Sequence, residues 1–226
     1  MESYTVSQLS TVIAAVGAVG TAAFGLVDAF KALPGGGISR AGFKFIRQTI
    51  LKLAPEVALL DGTGLSRDSL LYTLQSQWIN GTAATDQINI AKSLIKLRLT
   101  PDTSAALASA TGVDAAILSQ IAASIRSGTA LTPQQTDVYG RFDLLLTTLL
   151  DQAYQRASQR YRNSAKFAAI PVAVALALTA AWVIPNQLTL TQAVLVGLIA
   201  TPVAPIAKDV SSAITTAVQA IQSWGR

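Results

Sequence analysis

The chain has no cysteine and no histidine among its 226 residues. Without thiols it forms no disulfide, holds no iron–sulfur cluster through sulfur and has no thiolate nucleophile. Without imidazole it lacks a principal zinc ligand and the usual partner in nucleophile–base relays. Carboxylates, lysine and tyrosine are the acid–base groups that remain. Zero cysteine is compatible with either side of a membrane, so it does not fix the compartment. Charge is scarce as well, at 13% of residues, where soluble domains carry about 25%. The scarcity is concentrated. Phe167 to Ala207 carry no charged side chain for 41 positions, and Ser3 to Val27 form a second uncharged run.

Those runs are apolar. Hydrophobic residues make up 51% of the chain, and the mean hydropathy is +0.44. Pro185-Asn186-Gln187 interrupts the longer run near its middle. It leaves two segments of about 20 residues, the length a helix needs to cross a bilayer. The N-terminal run predicts a further span over Leu9 to Phe30. Its leading flank has Glu2 and neither Lys nor Arg. A signal peptide needs a basic n-region, so this span is expected to be retained. The expected fold is all-α, a multi-pass membrane protein with three transmembrane helices and a helical cytoplasmic domain between helices one and two. Residues 1–33 hold the first transmembrane helix, 34–166 the cytoplasmic domain, 167–207 a transmembrane hairpin and 208–226 a cytoplasmic C-terminal helix.

Charge gives the orientation. Segment 31–166 holds 15 of the 17 Lys and Arg residues and nine acids. Arg40, Lys44, Arg47 and Lys52 follow the first span, Arg156, Arg160, Arg162 and Lys166 precede the second, and the third ends at Lys208. The turn over 185–189 has no charge. Positive charge stays inside, which predicts an inner-membrane protein with the N-terminus outside and the C-terminus in the cytoplasm. The eight cations beside the spans are expected to contact anionic lipid headgroups rather than nucleic acid. Tyr154 and Tyr161 add an aromatic element to the second cluster. Trp182 fits an interfacial anchor, and Asp28 is expected to pair locally with Lys31.

Within 31–166, turn signals divide the chain into helices. Leu33-Pro34-Gly35-Gly36-Gly37 is a hinge. Ser39 then reads as an N-cap for a helix to Leu53 with Phe43, Ile46, Ile50 and Leu53 on one face. That basic amphipathic helix suits the headgroup layer. The glycines lack a P-loop lysine and a preceding strand, so no nucleotide site is expected. Asp61-Gly62-Thr63-Gly64 is a break, Ser66 caps a helix to Ile79, and Asn80-Gly81 stops it. Further helices begin at Thr85, at Thr100-Pro101 and at Val113, the last two closed by Gly112 and Gly128. Thr132-Pro133 is a strong start signal. From there a single rod is expected to run into the second span, with Phe142, Leu145, Leu146, Leu149, Leu150, Ala153 and Ala157 as its apolar stripe. Pro171 falls in the first turns of that span. Pro202 and Pro205 predict a bend in the third.

Two faces suggest assembly. Gly17, Thr21 and Gly25 recur every four residues, and small faces let helices approach closely in lipid. Val210, Ile214, Ala217, Ile221 and Trp224 follow coiled-coil spacing. They pack either around a symmetry axis or on the 134–166 rod. Thr179, Thr191, Gln192 and Thr201 are the polar groups of the hairpin spans. Thr191 and Thr201 are the candidate pore-lining residues, although such groups also bond to their own backbone. Asp143 and Asp151 share a helix face, most simply a solvated one.

The layout of three spans, external N-terminus and large cytoplasmic segment between spans one and two resembles the ExbB, TolQ and MotA stator proteins. Their long helices also run from membrane into cytoplasm. The resemblance covers layout alone. Their glycine-rich signature in span two is missing, span three has no acid, and the external turn is short. The expectation is a non-enzymatic, self-associating scaffold or anchor that docks partners through its cytoplasmic helices, as a homo-oligomer or in a hetero-complex with other membrane proteins. The alternative is an oligomeric ion-conducting or stator-like pore lined by the third helix. No catalytic residue, metal ligand or cofactor is expected.

Overall fold

The computed structural model describes residues 6–30, 37–54, 66–184 and 188–205, with side chains of the first helix from Thr11 onward. Every regular element among the described residues is a helix: α1 (Val6–Ala29), α2 (Ser39–Leu53), α3 (Arg67–Ile79), α4 (Ala84–Leu97), α5 (Pro101–Thr111), α6 (Ala115–Ser127), α7 (Pro133–Val183) and α8 (Leu190–Pro205). Contacts divide the chain into two compact units, residues 34–161 and residues 1–33 with 162–226. Outside the described residues lie the Leu33–Gly36 hinge, the Asp61–Gly64 break, Lys31, the Pro185–Gln187 turn, Lys208 and the Val210–Trp224 seam.

Local chemistry sets the helix boundaries of the first unit. Ser66 Oγ accepts a hydrogen bond from the Ser69 N–H at 3.0 Å and opens α3. Thr100 and Thr103 cap each other's amides at 3.2 and 2.8 Å to open α5, and Pro101 costs that first turn no internal hydrogen bond. Asp114 does the same for α6 through the Ile117 N–H. Gly112 and Gly128, at φ of 75° and 72°, close α5 and α6 in a left-handed conformation that a Cβ would strain. Thr132 and Gln135 form a reciprocal cap at 3.3 and 3.0 Å. From it α7 runs unbroken for 51 residues. Two positions differ from expectation. The turn before α2 begins at Gly37, so Ser39 lies inside the helix and is buried, without a capping bond. Its carbonyl instead accepts from Trp78 Nε1 at 3.0 Å. Pro171 lies well inside α7 rather than in a first turn, so the Phe167 carbonyl has no i+4 amide donor.

The core of this unit joins Ile46 and Ile50 of α2, Leu70 and Leu74 of α3, Ile95 of α4, Leu107 of α5, Leu118 and Ile121 of α6, and Phe142, Leu146 and Leu150 of α7, each with at most 1% of its surface exposed. Each such side chain contributes about 1.5–3 kcal/mol through burial. α2 meets α7 at Gly42, where a Cβ would sit 2.7 Å from the Ala157 carbonyl oxygen.

The second unit comprises α1, the later part of α7 and α8. α1, over Thr11–Ala29, and α7 are long and apolar enough to cross a membrane, while α8 is apolar but shorter. Thr189 and Gln192 cap α8 reciprocally at 3.3 and 2.9 Å.

Candidate functional site

The second unit is built on small residues. Ala165, Ala169, Ala173, Ala177 and Ala181 recur every four positions along α7, and all are buried. Ala193, Gly197, Ala200 and Ala204 face inward from α8. α8 runs back along α7, with Ala193 packed beside Ala177 and Ala181. A Cβ on Gly197 would lie 2.7 Å from the Val174 nitrogen and 2.8 Å from its Cγ2. α1 meets α8 at Gly20. There a Cβ would overlap the Ala200 carbonyl oxygen and lie 2.7 Å from its carbon and 2.9 Å from the Ala204 Cβ. The large apolar side chains point the other way. Phe167 is 76% exposed, Trp182 84% and Leu190 69%. A unit that packs in water does the reverse.

Between α1, α7 and α8 lies a groove of about 710 Å³. α1 contributes Phe24, α7 contributes Asn163, Lys166, Phe167 and Ile170, and α8 contributes Leu198, Thr201, Pro202 and Pro205. Both α7 and α8 supply positions i, i+3, i+4 and i+7, so each presents one face. Six of the nine described lining residues are apolar. Lys166 is the single charge among the described lining residues and is exposed. Thr201 is 6% exposed, and its hydroxyl has no hydrogen-bond partner among the described residues. A buried hydroxyl in that state is costly unless something else meets it.

The expected headgroup cations are all on the surface. Arg40, Lys44, Arg47 and Lys52 are exposed along α2. The apolar face of that helix is not available to lipid, because Phe43, Ile46, Ile50 and Leu53 belong to the protein's own core. Only the charged face can meet a headgroup. Arg156, Arg160, Arg162 and Lys166 are exposed on α7. The neighbouring tyrosines do not join them. Tyr154 and Tyr161 turn to Trp78, with ring centroids at 6.3 and 6.4 Å, and burial pushes the Tyr154 phenol well above its ordinary pKa.

The assembly face divides in the same way. Gly17 is buried, whereas Thr21 and Gly25 are exposed. The Thr21 hydroxyl donates to the Gly17 carbonyl at 2.9 Å, and a Cβ on Gly25 would meet nothing within 4 Å. Thr191 is exposed and Thr201 buried. The Gln192 side chain is used by the α8 cap, and Thr179 bonds to the Ala175 carbonyl at 2.8 Å. Asp28 is exposed.

Asp143 and Asp151 have different surroundings. Asp143 binds Lys92 at 3.3 Å and also Lys96, whose ammonium lies 5.0 Å from the centre of the Tyr139 ring. Partial burial works against both charges. The hydrogen bonds and charges of Lys96 and Lys92 together outweigh it and hold the Asp143 carboxyl below its ordinary range. Asp143 and Tyr139 together likewise outweigh burial and raise Lys96 above its own ordinary value. Asp151 is exposed. Among the described residues no three acids gather as a metal site would require. Of the expected site residues only Lys166 and Thr201 line the groove; Gly20, Gly197 and the alanine repeat have no counterpart among them. The alanine spacing was the one available signal. No family model matches the chain, and neither the curated proteins nor the solved structures contain a match.

Proposed function

We propose that the chain is an integral inner-membrane protein with three spans, formed by α1, the later part of α7 and α8. The observation that carries this reading is the inverted packing of that unit. Alanine and glycine are buried while Phe167, Trp182, Leu190 and Leu195 lie outside. Lipid tails solvate large apolar side chains, and close backbone approach supplies the packing energy that water cannot. The distribution of Lys and Arg supports a cytoplasmic position for 34–166, with the N-terminus and the α7–α8 turn outside.

Within that membrane the chain acts as a non-enzymatic, self-associating scaffold or anchor, and its cytoplasmic helices dock partner proteins. Thr21 and Gly25 support self-association, since they leave a small, open surface on α1 beside Ala14 and Ala18. The test uses the absence of natural cysteine. Ser127→Cys and Thr189→Cys, introduced singly at exposed positions, are treated on intact cells with a membrane-impermeant thiol reagent. Thr189→Cys is expected to label and Ser127→Cys only after lysis. Labelling at Ser127→Cys alone would overturn the orientation. A strict monomer by mass photometry in nanodiscs would overturn the scaffold.

A further inference from the structure

The groove between α1, α7 and α8 is not explained by packing, and its chemistry specifies a ligand. The geometry points to a binding site for one anionic phospholipid of the inner leaflet. This inference rests on the membrane reading above.

Each part of such a lipid has a counterpart. Lys166 is the last charge before 41 uncharged positions, so it marks the level where headgroups meet tails. It is also the only cation among the described lining residues. Its ammonium meets the phosphate, and the Asn163 amide, one turn away on the same face of α7, donates to a phosphate oxygen. Basic pockets between spans on the cytoplasmic side recognise anionic headgroups in this way. Phe24, Phe167, Ile170 and Leu198 offer an apolar wall to one acyl chain. Thr201 lines the same groove, and its buried hydroxyl has no partner among the described residues. A glycerol ester carbonyl is an acceptor of the right kind for that hydroxyl. The volume of about 710 Å³ falls within the usual range of about 300–1,000 Å³ for small-molecule sites. The exposed cations of α2 and α7 attract any anionic surface. This site differs in having walls from three helices and one cation among its described lining residues.

The full chain is first shown to resist carbonate extraction from membranes, which tests the membrane reading by itself. Purified protein is then titrated with dioleoyl phosphatidylglycerol, dioleoyl phosphatidylcholine or glycerol phosphate and examined by native mass spectrometry. One phosphatidylglycerol per chain is expected to bind saturably, with phosphatidylcholine weaker and glycerol phosphate unable to compete. Lys166→Gln lowers phosphatidylglycerol retention about fivefold, the effect of about one cation near an anionic group. Lys44→Gln, on the exposed face of α2, leaves it unchanged. Thr201→Val removes a hydroxyl that has no partner among the described residues, so the lipid-free protein keeps its thermal stability while retention falls. Equal losses in Lys166→Gln and Lys44→Gln would reduce the site to diffuse surface attraction and overturn the proposal. So would displacement by glycerol phosphate, which would make the ligand a free phosphate ester, or full retention in Thr201→Val and Lys166→Gln together.

Discussion

Gly20 and Gly25 lie on the same helix, five residues apart, and a single methyl group separates their roles. At Gly25 a Cβ meets nothing within 4 Å. At Gly20 it overlaps the Ala200 carbonyl oxygen and comes within 2.9 Å of Ala204 Cβ. The first obstacle is backbone inside α8. It cannot rotate away as a side chain would, so α1 has to withdraw. Both substitutions to alanine gain the same helix propensity, about 1 kcal/mol in water. That gain cancels when the two variants are compared with each other. What remains is the overpacking cost of about 1–3 kcal/mol. For a chain of this size about 1 kcal/mol moves the melting midpoint by about 2–4 °C. Gly20→Ala is therefore expected to melt about 2–12 °C below Gly25→Ala. The assay is thermal unfolding of both proteins in one detergent, followed by circular dichroism and by differential scanning fluorimetry. Coincident midpoints would refute the close crossing of α1 and α8.

Two further outcomes follow from the first unit. Asp143 has a lowered carboxyl pKa and Lys96 a raised one. The carboxylate contribution is present above its unfolded value of about 3.9 and is lost as pH falls through the folded value. The ammonium contribution is present below about 10.4 and is lost as pH rises past the folded value. Asp143→Asn is thus expected to cost about 1 kcal/mol between about pH 5 and 9 and to converge with the parent at both extremes, as measured by urea melts across pH; a pH-independent difference would rule out the ion network as its source. Thr100→Ala removes the reciprocal cap of α5 and is expected to cost about 1 kcal/mol, while Thr100→Ser, which keeps the oxygen, stays near the parent in the same melts.

Helix boundaries were the most legible part of the chain. Ser66, Thr100-Pro101, Thr132-Pro133, Gly112 and Gly128 act through local backbone chemistry, and the helices start and stop beside them. Ser39 misled because its neighbours decide the matter. The turn begins at Gly37, and the Ser39 carbonyl is used by Trp78, far away in sequence. The α2 stripe misled for a different reason. An apolar face at helical spacing says that something covers it, not whether lipid or protein does, and here the covering is Leu70, Leu74 and their neighbours. Gly17, Thr21 and Gly25 share a face by spacing, yet the real crossing is at Gly20, because the direction of approach is set by α8. The groove was out of reach altogether. Its nine described lining residues come from α7 and α8 and, across most of the chain, from α1.

The alanine repeat of α7 carries one more implication. Its rungs at 165, 169, 173, 177 and 181 are chemically identical. A slip of α8 by four residues, about 6 Å along the axis, would bring an equivalent alanine opposite each partner. The ladder holds the helices close but does not number its own rungs. Numbering comes from the notch, since only Gly197 admits the Val174 backbone at this distance. Gly20 fixes α1 against the same helix. Two hydrogen atoms in place of methyl groups thereby act as registration marks for a bundle whose contacts are otherwise interchangeable.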